Sequence, residues 1–298
     1  MGYARDLVTL TKPRITMTVL ITAAAGMKLA QRFLGGAAGA SSSGGMRWLW
    51  TLLGTALVVG SANALNMWLE RDVDRHMART RSRPLPDGRL PSAVALVFGL
   101  LLGLVSLPML WFGVNPVTAG LGAFALFSYV CVYTPLKLRW VRAMWIGAIP
   151  GAIPPLLGFS AVTGRIDLAG LALFTILFVW QIPHFLAITV FRADDYARAG
   201  LKVIPVEMGD RVTDGMMLRY SVGLLAVTVW PFLLGLGGKV YLGVAVALGA
   251  AFVALVARSF RQNLASVEGG RARWARSVFA YSIVYIVVLL ATLVLAAA

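Results

Sequence analysis

Nine apolar stretches of spanning or near-spanning length divide the chain, at about residues 15–34, 48–69, 93–113, 116–135, 143–162, 168–191, 219–237, 240–257 and 278–298. A run of about 20 apolar residues reads as a transmembrane helix. The expected fold is therefore all-α, a polytopic membrane protein of about nine transmembrane helices. Hydrophobic residues make up 59% of the chain and charged residues 13%, with a mean hydropathy of +0.81, which excludes an ordinary soluble domain. The first apolar run is long enough to remain as a span, so no cleavable signal is expected.

A net charge of +15 could suggest nucleic acid, but the basic residues are interleaved with spans, and membrane orientation explains them better. Nucleic-acid binding is rejected. Most of the 27 Lys and Arg residues fall in alternate connections, around residues 5–14, 71–92, 136–142, 192–219 and 258–277. By the positive-inside rule these face the cytoplasm, together with the amino terminus, and the carboxyl terminus lies on the far side. Of 12 acidic residues only Asp167 falls in an opposite loop. Acids barely influence topology, so their gathering on one face points to a cation-dependent site there. The single cysteine, Cys131, permits neither an internal disulfide nor a Cys-rich metal site.

The richest chemistry lies in NALNMWLERDVDRHMARTRSRPLP, residues 63–86. With the helix continued through it, Asn66, Glu70 and Asp74 fall at i, i+4 and i+8 on one stripe spread over about 12 Å. Two carboxylates about 6 Å apart repel by roughly 3 kcal/mol at an effective dielectric of about 20, so a cation between them keeps both ionised. Oxygen ligands of this kind favour a hard ion such as Mg²⁺. Arg71, Arg75, Arg79, Arg81 and Arg83 follow and suit a multiply charged anion. The combined reading is a magnesium and diphosphate site, although the arginines alone also fit a solvated face that holds orientation.

Other candidates follow along the chain. Tyr129, Tyr133 and Lys137 form an i+4 series; the tyrosines read as interfacial anchors, Lys137 as a phosphate contact, and Pro135 as a helix end. In GAIPGAIPPLLG, Gly147, Gly151 and Gly158 permit close packing, and Pro154 and Pro155 imply a kink or break. Gln181 and His184 sit inside a span around Pro183. Asp194 and Asp195 form a second acidic pair, with Arg192, Arg198 and Lys202 nearby, so two acidic sites could face each other across one cavity. GGAAGASSSGG, 35–45, reads as a flexible linker with no assigned role. The EGGRARWAR segment reads as an orientation determinant.

These residues resemble the UbiA-type intramembrane prenyltransferases. Asn66, Glu70, Asp74 and the segment from Arg79 to Pro84 match the general pattern. LTKPR at 10–14, ERDVD at 70–74, YTPLK at 133–137, GAIPPLLG at 151–158, WQIPHF at 180–185 and DDYARAG at 194–200 match its haem-farnesylating branch. The resemblance implies a single UbiA-like bundle over residues 1–298, with active-site loops at about 70–92, 136–142 and 192–219. It implies farnesyl diphosphate and haem b as substrates and Mg²⁺ as cofactor. A lipid bilayer, the bacterial inner membrane, would be the setting, and haem A synthase or terminal-oxidase assembly proteins would be further partners.

By the match, Asn66, Glu70, Asp74, Asp194 and Asp195 would hold metal, and Lys12, Arg14, Arg79, Arg83, Lys137 and Lys202 would hold diphosphate. His184, with Gln181, would contact haem. The chain departs from the family pattern at Leu138, Ala143, Arg192 and Tyr196; the last two stand where many members carry the acids of a second DxxxD motif. Two other readings compete. One is a related enzyme that prenylates a quinone precursor or another aromatic acceptor. The other is a transporter, which would place its binding groups near the midplane and not at one face.

Overall fold

The computed structural model describes residues 2–35, 44–77, 80–198, 200–261 and 269–295, whose regular structure is helical with no strand among them. Most of the 35–45 linker, as well as Arg79, lies outside the described residues. A short helix, α1 (Gly2–Leu10), precedes α2 (Pro13–Phe33). Then follow α3 (Gly44–Asp74), α4 (Ser92–Gly113) and α5 (Pro116–Phe127), which runs through a π turn, Ser128–Tyr133, into α6 (Thr134–Leu136). Next come α7 (Ala143–Thr163), α8 (Leu168–Phe191), α9 (Ala193–Arg198), α10 (Ile204–Met208) and α11 (Asp210–Val227). The chain closes with α12 (Trp230–Leu233), α13 (Lys239–Arg261) and α14 (Gly270–Leu295). Among the described residues eight spans are long and apolar enough to cross a membrane. α2 is the ninth long helix; at 21 residues it has the length but carries Lys28 and Arg32.

The helices form two adjoining groups. α2, α3, α4, α5 and α7 pack in a closed series, and α8, α11, α13 and α14 form a second, joined to the first through α7 on α8 and α14 on α2. α7 is the central post: 78% of its apolar window is buried, against 28% for α4 and α13. The outer helices turn Leu104, Phe112 and Val240 outward, an apolar surface suited to lipid. Close approach is built into α7. A Cβ at Gly158 would lie 1.9 Å from the Ala23 carbonyl oxygen, and one at Gly26 would lie 2.1 Å from that of Pro155, so α2 and α7 touch backbone to backbone.

Several boundaries differ from expectation. α7 runs unbroken through Pro150, Pro154 and Pro155, all buried, because neighbours pack on both sides and hold the turn that the missing N–H groups would otherwise loosen. Pro135 does not end its helix. Thr134 satisfies the Tyr129 carbonyl with its N–H and its hydroxyl, at 2.8 Å for the latter, and the Lys137 N–H reaches the Tyr133 carbonyl at 2.9 Å. Much of the expected 192–219 loop is helical, and α14 starts at Gly270, well before residue 278. Asp167, the acid expected in an opposite loop, caps α8 by accepting from the Gly170 N–H at 3.1 Å.

Candidate active site

α3 continues through its charged end, so Asn66, Glu70 and Asp74 do share one stripe, and all three are buried. Three separate segments bring cations to that stripe. Lys12, at the α1–α2 junction, donates from Nζ to Asn66 Oδ1 at 3.2 Å. Lys137, just past α6, forms an ion pair with Glu70 Oε1. Arg83, in the loop after α3, donates from Nη1 to Asp74 Oδ2 at 2.6 Å. The frame around them is polar and satisfied: Asn66 Nδ2 donates to Thr134 Oγ1 at 3.1 Å, and Thr80 Oγ1 donates to the Asp74 carbonyl at 2.9 Å. Apart from the pair with Lys137, Glu70 Oε1 has no hydrogen-bond partner among the described residues.

The Lys12 backbone is unusual. Its φ of 49° makes it the non-glycine residue of positive φ among those described, and it precedes Pro13. Such a conformation costs about 1–3 kcal/mol and persists only when its surroundings impose it. Here Asn63 Nδ2 holds the Thr11 carbonyl at 3.2 Å, which ties the junction to α3. Burial, with Arg83 and Lys137 nearby, pushes the Lys12 ammonium down to about 7. Burial works in the same direction on Lys137, but Tyr133 and Glu70 beside it hold its pKa above the ordinary value.

A cavity of about 690 Å³ opens beside this cluster. Tyr133 and Lys137 line one end, Arg192, Asp195 and Lys202 the α8–α10 side, and Arg276 and Phe279 the α14 side. Met144, Phe185 and Leu186 give it an apolar wall. Tyr133 is therefore more than an anchor: its ring lies 5.6 Å from that of Tyr129 and 5.5 Å from Lys137 Nζ, and a Cβ at Gly147 would strike it at 2.5 Å.

Other sequence candidates are placed differently. Arg14 is exposed on the first turn of α2 and makes none of these contacts. Arg79 lies outside the described residues. Asp194 is exposed, whereas Asp195 is buried and held by Arg198 at 2.9 Å, with Arg192 at 3.9 Å. Gln181 donates from Nε2 to the carbonyls of Ala148 and Leu177, bolting α8 to α7, and His184 Nδ1 lies 2.7 Å from Ser282 Oγ. The His184 ring stacks on Trp180 at 4.7 Å, one layer behind the cavity wall formed by Phe185 and Phe279.

Sequence reasoning gave no role to Asn63, Thr80 and Thr134, although they stand in the quoted motifs, because their types give no periodic signal. It also missed the clamp in which Arg89 binds buried Asp6 and exposed Asp87, each at 2.6 Å. Arg271, in the segment read as an orientation determinant, grips Asp214 at 2.9 Å and Asp210 at 3.0 Å.

The model of the UbiA prenyltransferase family matches residues 19–283. The chain belongs to that family. Among relatives of this UbiA prenyltransferase, the protoheme IX farnesyltransferase of Myxococcus xanthus is 47% identical over 292 residues, covering 98% of this chain and 94% of that one. That of Sorangium cellulosum is 54% identical over 246 residues, covering 83% and 86%. A solved structure of a digeranylgeranylglyceryl phosphate synthase aligns with a TM-score of 0.81 at 15% identity, covering 100% of this chain and 99% of that one. A UbiA homologue from Archaeoglobus fulgidus bound to DMAPP and Mg²⁺ aligns with a TM-score of 0.64 at 19% identity, covering 95% and 100%. At these identities the two structures speak for the fold.

The UbiA stripe fits a hard divalent ion by its donor chemistry: two carboxylates and an amide oxygen, buried, with one Glu70 oxygen held only by an ammonium. Among the described residues no three Asp, Glu, His or Cys side chains gather into a cage. An ion such as Mg²⁺ tolerates this, because it binds through one or two carboxylates and takes its remaining ligands from substrate phosphates and water.

Proposed function

We propose that this UbiA prenyltransferase transfers the farnesyl group of farnesyl diphosphate to a vinyl group of protohaem IX, with addition of water, giving haem O and diphosphate. The observation that carries this reading is the likeness to protoheme IX farnesyltransferases over nearly the whole chain, including 44% identity across 295 residues to that of an Anaeromyxobacter species. The cavity supports it, because a cationic end for the diphosphate adjoins an apolar wall for the prenyl chain and the porphyrin.

Asn66, Glu70 and Asp74 would hold Mg²⁺, directly or through water, with Asp195 a further acid on the cavity that adjoins them. The ion, when bound, neutralises charge developing on the departing diphosphate. Lys12, Arg83 and Lys137 would donate to the diphosphate oxygens as the farnesyl C1–O bond breaks and its electron pair leaves with the diphosphate. Tyr133, Met144 and Phe185 would keep water from the allylic cation until the vinyl π pair closes the new carbon–carbon bond. Water then captures the second cation and loses a proton. Charge asymmetry supports a site at the cytoplasmic face, with the amino terminus on the same side and the carboxyl terminus opposite, and a bacterial inner membrane would be the setting. The whole chain, 1–298, works as one domain.

The test is purified protein in detergent with Mg²⁺, haem b and farnesyl diphosphate, the haem products being identified by mass and EDTA serving as control. A Mg²⁺-dependent gain of one farnesyl plus one water is expected. Prenylation of an aromatic quinone precursor with no haem product would move the acceptor and leave the diphosphate site standing.

A further inference from the structure

Two arginines at the cavity rim take no part in the diphosphate cluster. Arg192, just past α8, and Arg276, on α14, each place the guanidinium carbon 5.9 Å from the centre of the Phe191 ring, so two cations share one aromatic side chain. Both line the cavity, and both are exposed. Arg276 has no ion-pair partner among the described residues; Arg192 lies 3.9 Å from Asp195, which Arg198 holds more closely at 2.9 Å. Below the two guanidinium groups, Phe191 meets Phe279 edge to face at 5.7 Å, and Phe279 meets His184 at 4.8 Å. Phe191 and Phe279 thus give the cavity an aromatic wall beneath the rim, backed by His184.

We propose that Arg192 and Arg276 are the carboxylate subsite of the acceptor, binding the two propionates of protohaem while the porphyrin lies against Phe191 and Phe279. The inference rests on the haem reading above. A paired guanidinium rim matches a planar apolar ligand that carries two carboxylates on one edge, because guanidinium groups bind carboxylates through planar, charge-assisted hydrogen bonds. In protohaem the vinyl groups stand on the edge opposite the propionates. Holding the propionates at the rim therefore aims a vinyl group inward, towards the end of the cavity formed by Tyr133 and Lys137.

The test compares protohaem with its dimethyl ester as acceptor for the purified full-length enzyme. Wild type is expected to use the ester about tenfold less well by kcat/KM, the scale of one charge-assisted hydrogen bond. Arg192→Gln with Arg276→Gln should lower use of the diacid towards that of the ester, leave KM for farnesyl diphosphate unchanged, and be partly rescued by Lys at both positions. Should the double variant fail to fold, the wild-type comparison and Arg276→Gln alone decide the matter. Equal use of diacid and ester by wild type, or an undiminished preference in the variants, overturns the subsite while haem turnover stands. Farnesylation of neither by wild type overturns the haem reading itself, and the subsite with it.

Discussion

The Lys137 ammonium rests against the Glu70 carboxylate, tying the end of the α5–α6 span to the acidic stripe of α3. Each is the other's compensation in a site little open to water. Glu70→Gln keeps shape and removes charge, so it should lower turnover at least tenfold, about 1.4 kcal/mol of barrier, with thermal unfolding little changed. Lys137→Met should destabilise by leaving the carboxylate alone, and adding Glu70→Gln should restore part of that loss. A double-mutant cycle is expected to give a coupling above about 0.5 kcal/mol. Strict additivity would mean that the two side chains act separately.

Asp74 and Arg83 make the second such pair, at 2.6 Å. Asp74→Asn should cost at least tenfold in turnover, or about 1.4 kcal/mol, and raise the Mg²⁺ concentration needed for half-maximal rate. Arg83→Gln should act on the other partner, raising KM for farnesyl diphosphate about tenfold with KM for haem unchanged. Steady-state kinetics with each substrate and the metal varied in turn separates the two effects.

Removing the metal should stop the reaction without unfolding the chain, because α3 is held by α2 and α4 independently of any ion. EDTA is expected to abolish turnover while circular dichroism stays unchanged, and excess Mg²⁺ should restore the rate. Full activity in EDTA would leave Lys12, Arg83 and Lys137 as the sole electrostatic apparatus.

Gly158→Ala should be a stability variant, not a kinetic one. The new methyl would lie 1.9 Å from the Ala23 carbonyl oxygen, so α2 and α7 must separate, at a cost of about 1–3 kcal/mol. Gly243→Ala, where nothing lies within 4 Å, should be neutral or gain up to about 1 kcal/mol from helix propensity. Thermal unfolding in detergent ranks the two.

The long helices were legible because spans impose a length and an unbroken apolar pattern, and the α3 stripe because carboxylates at a membrane helix end have few inert uses. What escaped depended on partners remote in sequence. Nothing at Asp194 and Asp195 distinguishes an exposed carboxylate from its buried neighbour; the turn of α9 decides. The proline-rich α7 looked breakable because its neighbours are invisible in one dimension. Gln181 reads like a ligand until Ala148 and Leu177 are seen to accept its amide protons. The amphipathic α1 was missed altogether, since at nine residues it leaves little periodic signal.

The left-handed turn at Lys12 makes the entrance to the bundle a lever. On one arm, α1 is pinned through Asp6 to Arg89, which also reaches Asp87 and the Ser82 carbonyl. On the other, the Lys12 ammonium touches Asn66. The pivot resists rotation because its backbone angle is uncommon and Pro13 follows directly. The same short junction therefore carries both contacts, and the helix held by Arg89 ends two residues before the lysine whose amine meets Asn66.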